Sequence, residues 1–362
     1  MSFHLLAVLA VLLAVSTLMP LSRREAWWVR GWDFPRLQLF IVALALMLAE
    51  LLMLNLRNPA HGLVMLTTLA CLIYQAWWIV PYTRLFRPEV NQADASADAA
   101  DRLCILSANV LMSNRDADRL LAQVALHQPD LLVTLETDAW WQARVDTLAR
   151  DYPHTLKCPL SNRYGMHLYS RLPLSDAQLQ FLVEPDVPSM HACVQLRSGQ
   201  QLRLHLLHPA PPSPVENSSS SERDAELLVV GRSVAGSALP VVVAGDLNDV
   251  AWSATTRLFR RISGLLDPRV GRGMFNTFHA GWWCLRWPLD HVFHSPHFQL
   301  IDIRRLPAIG SDHFPVLVSL LCSGRTGSTL SIPAADSDDR SRARRKLAAE
   351  DVRPNDVHVP GG

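Results

Sequence analysis

Hydrophobic residues are distributed unevenly along this chain, and three long apolar runs come first, at residues 3–21, 37–56 and 62–82. Each is close to the ~20 residues a helix needs to cross the hydrocarbon core of a bilayer. The first run carries only His4 as a titratable side chain. It has no basic segment ahead of it and no small-residue cleavage pattern before Arg23 and Arg24, so it reads as a span rather than a signal peptide. Residues 1–87 are therefore expected to form a membrane anchor of three transmembrane helices. Trp27, Trp28 and Trp32 follow the first run, and Trp77, Trp78 and Tyr82 close the third, where interfacial aromatics belong. Glu50 lies inside the second run, so it is expected to be protonated or hydrogen-bonded to a neighbouring helix.

The pattern changes after residue 87. Residues 88–101 (PEVNQADASADAAD) are small, polar and acidic and read as a linker. From 102 to 322, short apolar runs alternate with loops, and the runs at 103–111, 130–136, 240–249, 289–295 and 314–320 have the length and composition of strands. Strands also fall within 165–174 and 191–212, the second a hairpin turning at Ser198-Gly199. Helical spacing marks 115–129, ended by Pro129, and 222–237. Residues 323–362 have mixed charge and little periodicity and are expected to be disordered.

Composition narrows the classes. The net charge is only +1, which gives no whole-chain nucleic-acid signal. Six cysteines without CxxC spacing argue against a zinc site or a disulfide framework. Arg23, Arg24, Arg30 and Arg36 lie in the first connection, Arg57 in the second, and Arg84 and Arg87 after the third run. The positive-inside rule then predicts a multi-pass protein of the cell membrane with its C-terminal part in the cytoplasm. The periplasmic or extracellular side stays open as the alternative.

Candidate chemistry gathers at strand ends. Asn109 follows LCILSA, Glu136 follows LLVTL, and His208 follows LRLHLL. Asp246 and Asn248 follow VVVAG, and Asp312-His313 precede FPVLV. Taken singly, each fits a local turn, because Asn and Asp bond readily to nearby backbone. Together they supply the cation ligand, water-orienting groups and imidazole that phosphoester hydrolysis needs.

The ordered set SANV, LETD, YSRLPL, LHPAPP, GDLND, LDHVF and SDHFPV resembles the endonuclease/exonuclease/phosphatase superfamily over essentially all of 102–322. The preceding helices resemble a bacterial membrane-anchored branch of that group. The resemblance implies a four-layer α/β sandwich, two mixed β-sheets face to face with helices outside. It implies a divalent cation, Mg²⁺ or alternatively Mn²⁺, held by Glu136 with Asn109 and Asp312. It makes His313 the general base or phosphate-stabilising imidazole, oriented by Asp290, and makes Asp246 and Asn248 the groups that orient water and hold phosphate. His208 would serve the leaving group, and Tyr169 and Arg171 would line the substrate pocket. Thr137 after the glutamate and Leu247 within GDLND depart from the common pattern without removing a functional group.

Substrate is less constrained. Arg257, Arg260, Arg261, Arg269 and Arg272 could meet the phosphates of DNA. Trp282 and Trp283 could stack bases or enter the membrane interface, whereas Trp287 reads as core. The leading expectation is a membrane-anchored, metal-dependent hydrolase of a phosphodiester, lipid phosphate or pyrophosphate, with the lipid bilayer as partner. The alternatives are a Mg²⁺-dependent nuclease and a catalytically inactive, membrane-tethered binding module.

Overall fold

The computed structural model describes residues 3–22, 24–94, 98–324 and 334–361. The three apolar runs are helices: α1 (Phe3–Leu18), α3 (Arg36–Met53) and α4 (Pro59–Ile79), with the short α2 (Trp27–Arg30) in the first connection. All three long helices are long and apolar enough to cross a membrane. Leu6, Ala10, Leu13, Ala43, Leu46 and Cys71 form the seam between them. Glu50 is buried in that seam and accepts a hydrogen bond from Thr68 Oγ1 at 2.8 Å, so α4 supplies the partner expected for it.

The remaining strands are β1 (Arg102–Asn109), β2 (Leu131–Leu135), β3 (His154–Cys158), β4 (Met166–Ser170), β5 (Leu174–Gln180) and β6 (Ser189–Gln195). They continue with β7 (Gln201–Leu206), β8 (Val241–Asp246), β9 (Asp290–His294), β10 (Phe298–Arg305) and β11 (Val316–Cys322). One sheet has the order β10-β11-β1-β2-β4-β3 and the other β5-β6-β7-β8-β9. Alternation along each strand decides the layers. Ile105, Val133, Leu204, Val242 and Val318 face the core between the sheets. Leu106, Leu132 and Leu317 point the other way, under α5 (Ala117–His127) and α6 (Ala139–Val145). Val241, Val243 and Phe293 lie under α7 (Ser221–Ser233), α8 (Ala254–Ser263) and α9 (Ser337–Ala349). The result is the expected sandwich of two mixed sheets with helices on both outer faces.

Two expectations from the sequence need correction. Residues 88–94 are not a free linker: Glu89 and Val90 are buried, and Ala93 N donates to Leu300 O at 2.8 Å. This segment covers the β10 edge, a row of backbone groups that would otherwise lie open. The C-terminal segment is not disordered over 334–361. There α9 lays Ala343 and Leu347 on the five-stranded side, and Val352 and Val357 follow them into the core. Arg261 holds Asp339 at 2.6 Å and Lys346 holds Asp224 at 2.7 Å. Only a two-residue apolar stripe (i, i+4) marks this helix in a charged sequence, so composition conceals it. The rest of the tail expectation, 325–333 and 362, lies outside the described residues.

Candidate active site

The polar strand ends converge at one end of the sandwich. Parallel pairing of β1 with β2 sets Asn109 beside Leu135, so Asn109 and Glu136 emerge together. Antiparallel pairing of β8 with β9 sets Asp246 opposite Asp290. His313 sits just ahead of β11, whose Val316 pairs with Ser107.

Two glycines make the approach feasible. A Cβ on Gly165 would lie 1.8 Å from Thr137 O, so only glycine lets that loop close on the turn that carries Glu136. Gly245 has φ +139°, and a Cβ there would lie 2.0 Å from Leu207 O. Glu136 (φ 59°) and Asn248 (φ 49°) both occupy the left-handed region. Glutamate rarely adopts it, and such strain collects where a side chain must be aimed.

Asn109 Nδ2 donates to Glu136 Oε1 at 3.0 Å and to Asp246 Oδ2 at 3.1 Å, while its Oδ1 accepts from Leu111 N at 3.0 Å. The amide thus bridges two carboxylates and presents its nitrogen, not its oxygen, to the site. Asp246 Oδ2 is the meeting point: His313 Nε2 lies 3.5 Å away and His208 Nε2 3.9 Å. Its other oxygen accepts from Asn248 N at 3.0 Å, which is the Asx-turn that the segment also suggested. Asn248 Nδ2 donates to Pro209 O at 3.0 Å, which fixes its side chain against the loop that carries His208.

Asp290 Oδ2 and His313 Nδ1 are 2.7 Å apart and both residues are buried. Thr277 Oγ1 accepts from the backbone N of Asp290 at 3.2 Å, and the Phe278 ring packs 4.9 Å from the His313 ring. Burial pulls the His313 pKa down, but the charges of Asp290, Asp246 and Asp312 outweigh it and lift the pKa to about 10. These carboxylates favour the protonated imidazole.

A single buried side chain explains the Ser311-Asp312-His313 turn. Ser311 Oγ, not Asp312, accepts from His313 N at 3.0 Å. Asp312 is half-buried, takes a bond from Ser311 Oγ at 3.3 Å, and adds its charge to the His313 environment.

Asp246, Asp290 and His313 offer ligand atoms within 4.8 Å of one another, a spacing a metal ion could bridge. The 2.7 Å hydrogen bond between Asp290 and His313 leaves no space for an ion between them, so this is a proton-sharing pair. A divalent cation fits better at Glu136. That carboxylate is only half-buried, and Glu136, Asp246, Asp290 and Asp312 together bring more negative charge than one imidazolium neutralises. A hard cation that keeps several waters and takes one or two carboxylates suits this oxygen set.

Tyr169 and Arg171 are not brought to the site. Strand β4 runs antiparallel to β2, so Met166 pairs with Leu135 near the site and Tyr169 with Leu132 further back. Tyr169 is buried under α6 with its hydroxyl on Asp146 at 2.8 Å, and the Arg171 guanidinium lies 4.8 Å over the Tyr152 ring. Tyr164, at the other end of that segment, is the residue sequence reasoning missed. Its ring lies 5.4 Å from His208 and its hydroxyl bonds Glu216. Arg223 was missed too: it donates to Asn248 O at 2.8 Å and pairs with Asp224 at 2.9 Å, holding the loop from behind.

A model of the "Endonuclease/Exonuclease/phosphatase family" matches residues 106–313. The chain belongs to that family. Among solved structures it is similar to D. rerio TDP2 complexed with a single-strand DNA product, at 19% identity and a TM-score of 0.50, over 62% of this chain and 99% of that one. It is also similar to the human Nocturnin catalytic domain with a bound sulfate, at 16% identity and a TM-score of 0.50, over 62% and 96% of the two chains. At these identities the family's sandwich is what is shared. No curated protein matches the chain.

Proposed function

We propose that this chain is a membrane-anchored, metal-dependent phosphoester hydrolase whose substrate is a phosphate-bearing lipid at the bilayer surface. One observation carries the lipid assignment: the loops around the site are bonded to the membrane bundle. Trp252 Nε1 donates to Asp33 O at 2.7 Å, and Tyr82 OH donates to Ala251 O at 2.8 Å, both in the loop that begins with Asn248. The loop after Phe278 reaches the same face. Its Ala280 N donates to Asp312 O at 2.6 Å, and its Cys284 O accepts from Gln38 Nε2, two residues into α3, at 2.9 Å. Trp282 and Trp283 on this loop are 60% and 83% exposed, beside the start of a span, as interfacial anchors are. Trp287 instead packs on Phe278 and Phe34.

Four of the five arginines that could have met DNA are occupied within the fold, Arg257 being the exception. Arg260 is paired with Glu89, Arg261 with Asp339 and Arg269 with Asp267, and Arg272 bonds Val90 O. A duplex-binding face needs such cations free for phosphates.

In this reading Glu136 would hold the cation, which would supply Lewis-acid stabilisation of the phosphoryl oxygens, while Asp312 lies beside His313. Asp246, whose Oδ2 accepts from Asn109 Nδ2 and lies within 3.9 Å of both imidazole Nε2 atoms, is placed to orient water and take its proton. Asn109 keeps the two carboxylates apart. The His313 imidazolium, aligned by Asp290, donates at Nε2 to the phosphoryl oxygen on which charge develops. His208, whose Nε2 lies 3.9 Å from Asp246 Oδ2, is placed for the leaving oxygen. The positive-inside pattern puts this face in the cytoplasm.

The test uses the full chain in proteoliposomes with Mg²⁺, followed by phosphate release from phosphatidic acid and from a polyprenyl pyrophosphate, beside nicking of supercoiled plasmid. Turnover of a lipid that stops with chelator or with His313→Ala supports the proposal. Metal-dependent nicking without lipid turnover would reassign the chain as a nuclease, in line with the DNA product held by TDP2. Neither activity, with wild type and His313→Ala alike, would favour a binding module.

A further inference from the structure

Between the first connection of the membrane bundle, α8 and α9 lies a cavity of about 470 Å³. Its wall carries the cations Arg30, Arg257, Arg342, Arg345 and Lys346 against two carboxylates, Glu25 and Asp224. Lys346 already pairs with both carboxylates, and Arg30 pairs with Asp33 at 3.3 Å. Arg257, Arg342 and Arg345 form no ion pair among the described residues, although the charge of Arg342 reaches Asp339 and that of Asp33 reaches Arg257. Arg257 lies 3.8 Å over the Trp78 ring and uses only Nε, on Ser253 O at 3.0 Å. Burial above all, with the charges of Arg261 and Arg36, depresses its pKa to about 10 and outweighs the opposing charge of Asp33. Ala254 and Thr255, the first residues of α8, also line the cavity, and the positive end of a helix favours an anion.

The opening lies where the first span ends. Pro20, Leu21 and Ser22 form part of the wall, and Leu18 and Leu21 are 58% and 57% exposed beside it. An apolar lip next to an under-neutralised arginine cluster matches a ligand with a phosphate at one end and hydrocarbon at the other. Planar guanidinium groups bind phosphate oxygens in pairs, which suits a phosphodiester headgroup.

We propose that this cavity is a headgroup site for an anionic phospholipid, with its phosphate among Arg257, Arg342 and Arg345 and its acyl chains along Leu18 and Leu21. The proposal rests on the three helices residing in a bilayer and not on the chemistry at His313. Occupancy would reach the active site through a short route. Lys346 and Arg223 share Asp224, and Arg223 holds Asn248 O.

The test uses the full chain in neutral detergent, with native mass spectrometry to count bound dioctanoyl phosphatidylglycerol, dioctanoyl phosphatidylcholine or inorganic phosphate. Wild type should retain one phosphatidylglycerol at least tenfold more tightly than phosphatidylcholine. Removing two arginines in R342Q/R345Q should weaken it about 30-fold, as two roughly fivefold steps at ~1 kcal/mol each. R342K/R345K should keep most of the affinity, and R344Q, an exposed neighbour bonded to Ser341, should keep all of it. Equal retention of the two lipids, an equal loss in R344Q, or displacement by inorganic phosphate at the lipid's own concentration would overturn the proposal. Recovery of the chain from cells without detergent would instead remove the membrane reading on which it rests.

Discussion

Replacing Asp290 by asparagine isolates one interaction at the site. The exchange preserves shape and leaves the backbone bond from Asp290 N to Thr277 Oγ1 (3.2 Å) in place. It deletes the charge that faces His313 Nδ1 at 2.7 Å in a buried setting. A hydrogen bond to a charged group contributes about 1.5–3 kcal/mol. If that stabilisation is realised as charge builds on the phosphoryl group, kcat/KM should fall about 10- to 150-fold. The assay is metal-dependent phosphate release by the reconstituted full chain, with thermal melting to confirm that the fold persists. A double-mutant cycle adds the decisive readout: because Asp290 acts only through His313, Asp290→Asn on a His313→Ala background should cost little more. Additive losses, or a D290N enzyme within twofold of wild type, would refute the dyad.

Other perturbations test the scaffold. Gly165→Ala would push a methyl into Thr137 O and shift the turn that carries Glu136. It should cost at least tenfold in activity and raise the Mg²⁺ requirement; a kinetically normal variant would show that the turn yields freely. Trp282→Ala with Trp283→Ala should lower turnover of lipid in vesicles while sparing a short-chain soluble ester, and equal losses on both would deny the loop an interfacial role. Glu226, buried on α7, has its pKa raised to about 8 by burial and by Glu184. The folded state therefore holds that proton more tightly than the unfolded chain, and stability should fall as pH rises from about 4.5 to 8. Glu226→Gln should flatten this slope and melt higher above pH 8, by roughly 2–4 kcal/mol; parallel melting curves would contradict it. Truncation after residue 334 removes the buried Ala343, Leu347, Val352 and Val357 and should cost several kcal/mol, whereas an unchanged melting temperature would mean that α9 is not docked.

Most of the site was legible because each of its residues follows or precedes an apolar run that can only be a buried strand. Direction was not legible. YSRLPL read as one pocket-lining motif, yet β4 is antiparallel to β2, so its beginning, near Tyr164, faces His208 while Tyr169 and Arg171 lie further from the site. The pairing partner of a strand decides which of its ends meets the site, and a single sequence does not state that partner. The same reasoning covers 88–94 and α9, whose few buried residues are outnumbered by charges that find partners far along the chain, as Glu89 does with Arg260 and Asp339 with Arg261.

The least legible feature bears most on function. Hydropathy presents the helices as a tether joined to an independent domain by a linker, which would leave the site free to face any substrate. Instead Asp33, Gln38 and Tyr82 bond the Trp252, Cys284 and Ala251 loops, across 219, 246 and 169 residues of sequence. Those loops are the ones that carry Asn248 and brace Asp312. Loops with functional side chains need a rigid support, and here the bundle supplies it on one side. Under the proposed membrane anchoring, a site buttressed by these helices would be held at a fixed height and tilt over the bilayer. That geometry favours a substrate already confined to the surface over one that must arrive from solution with a long, stiff backbone.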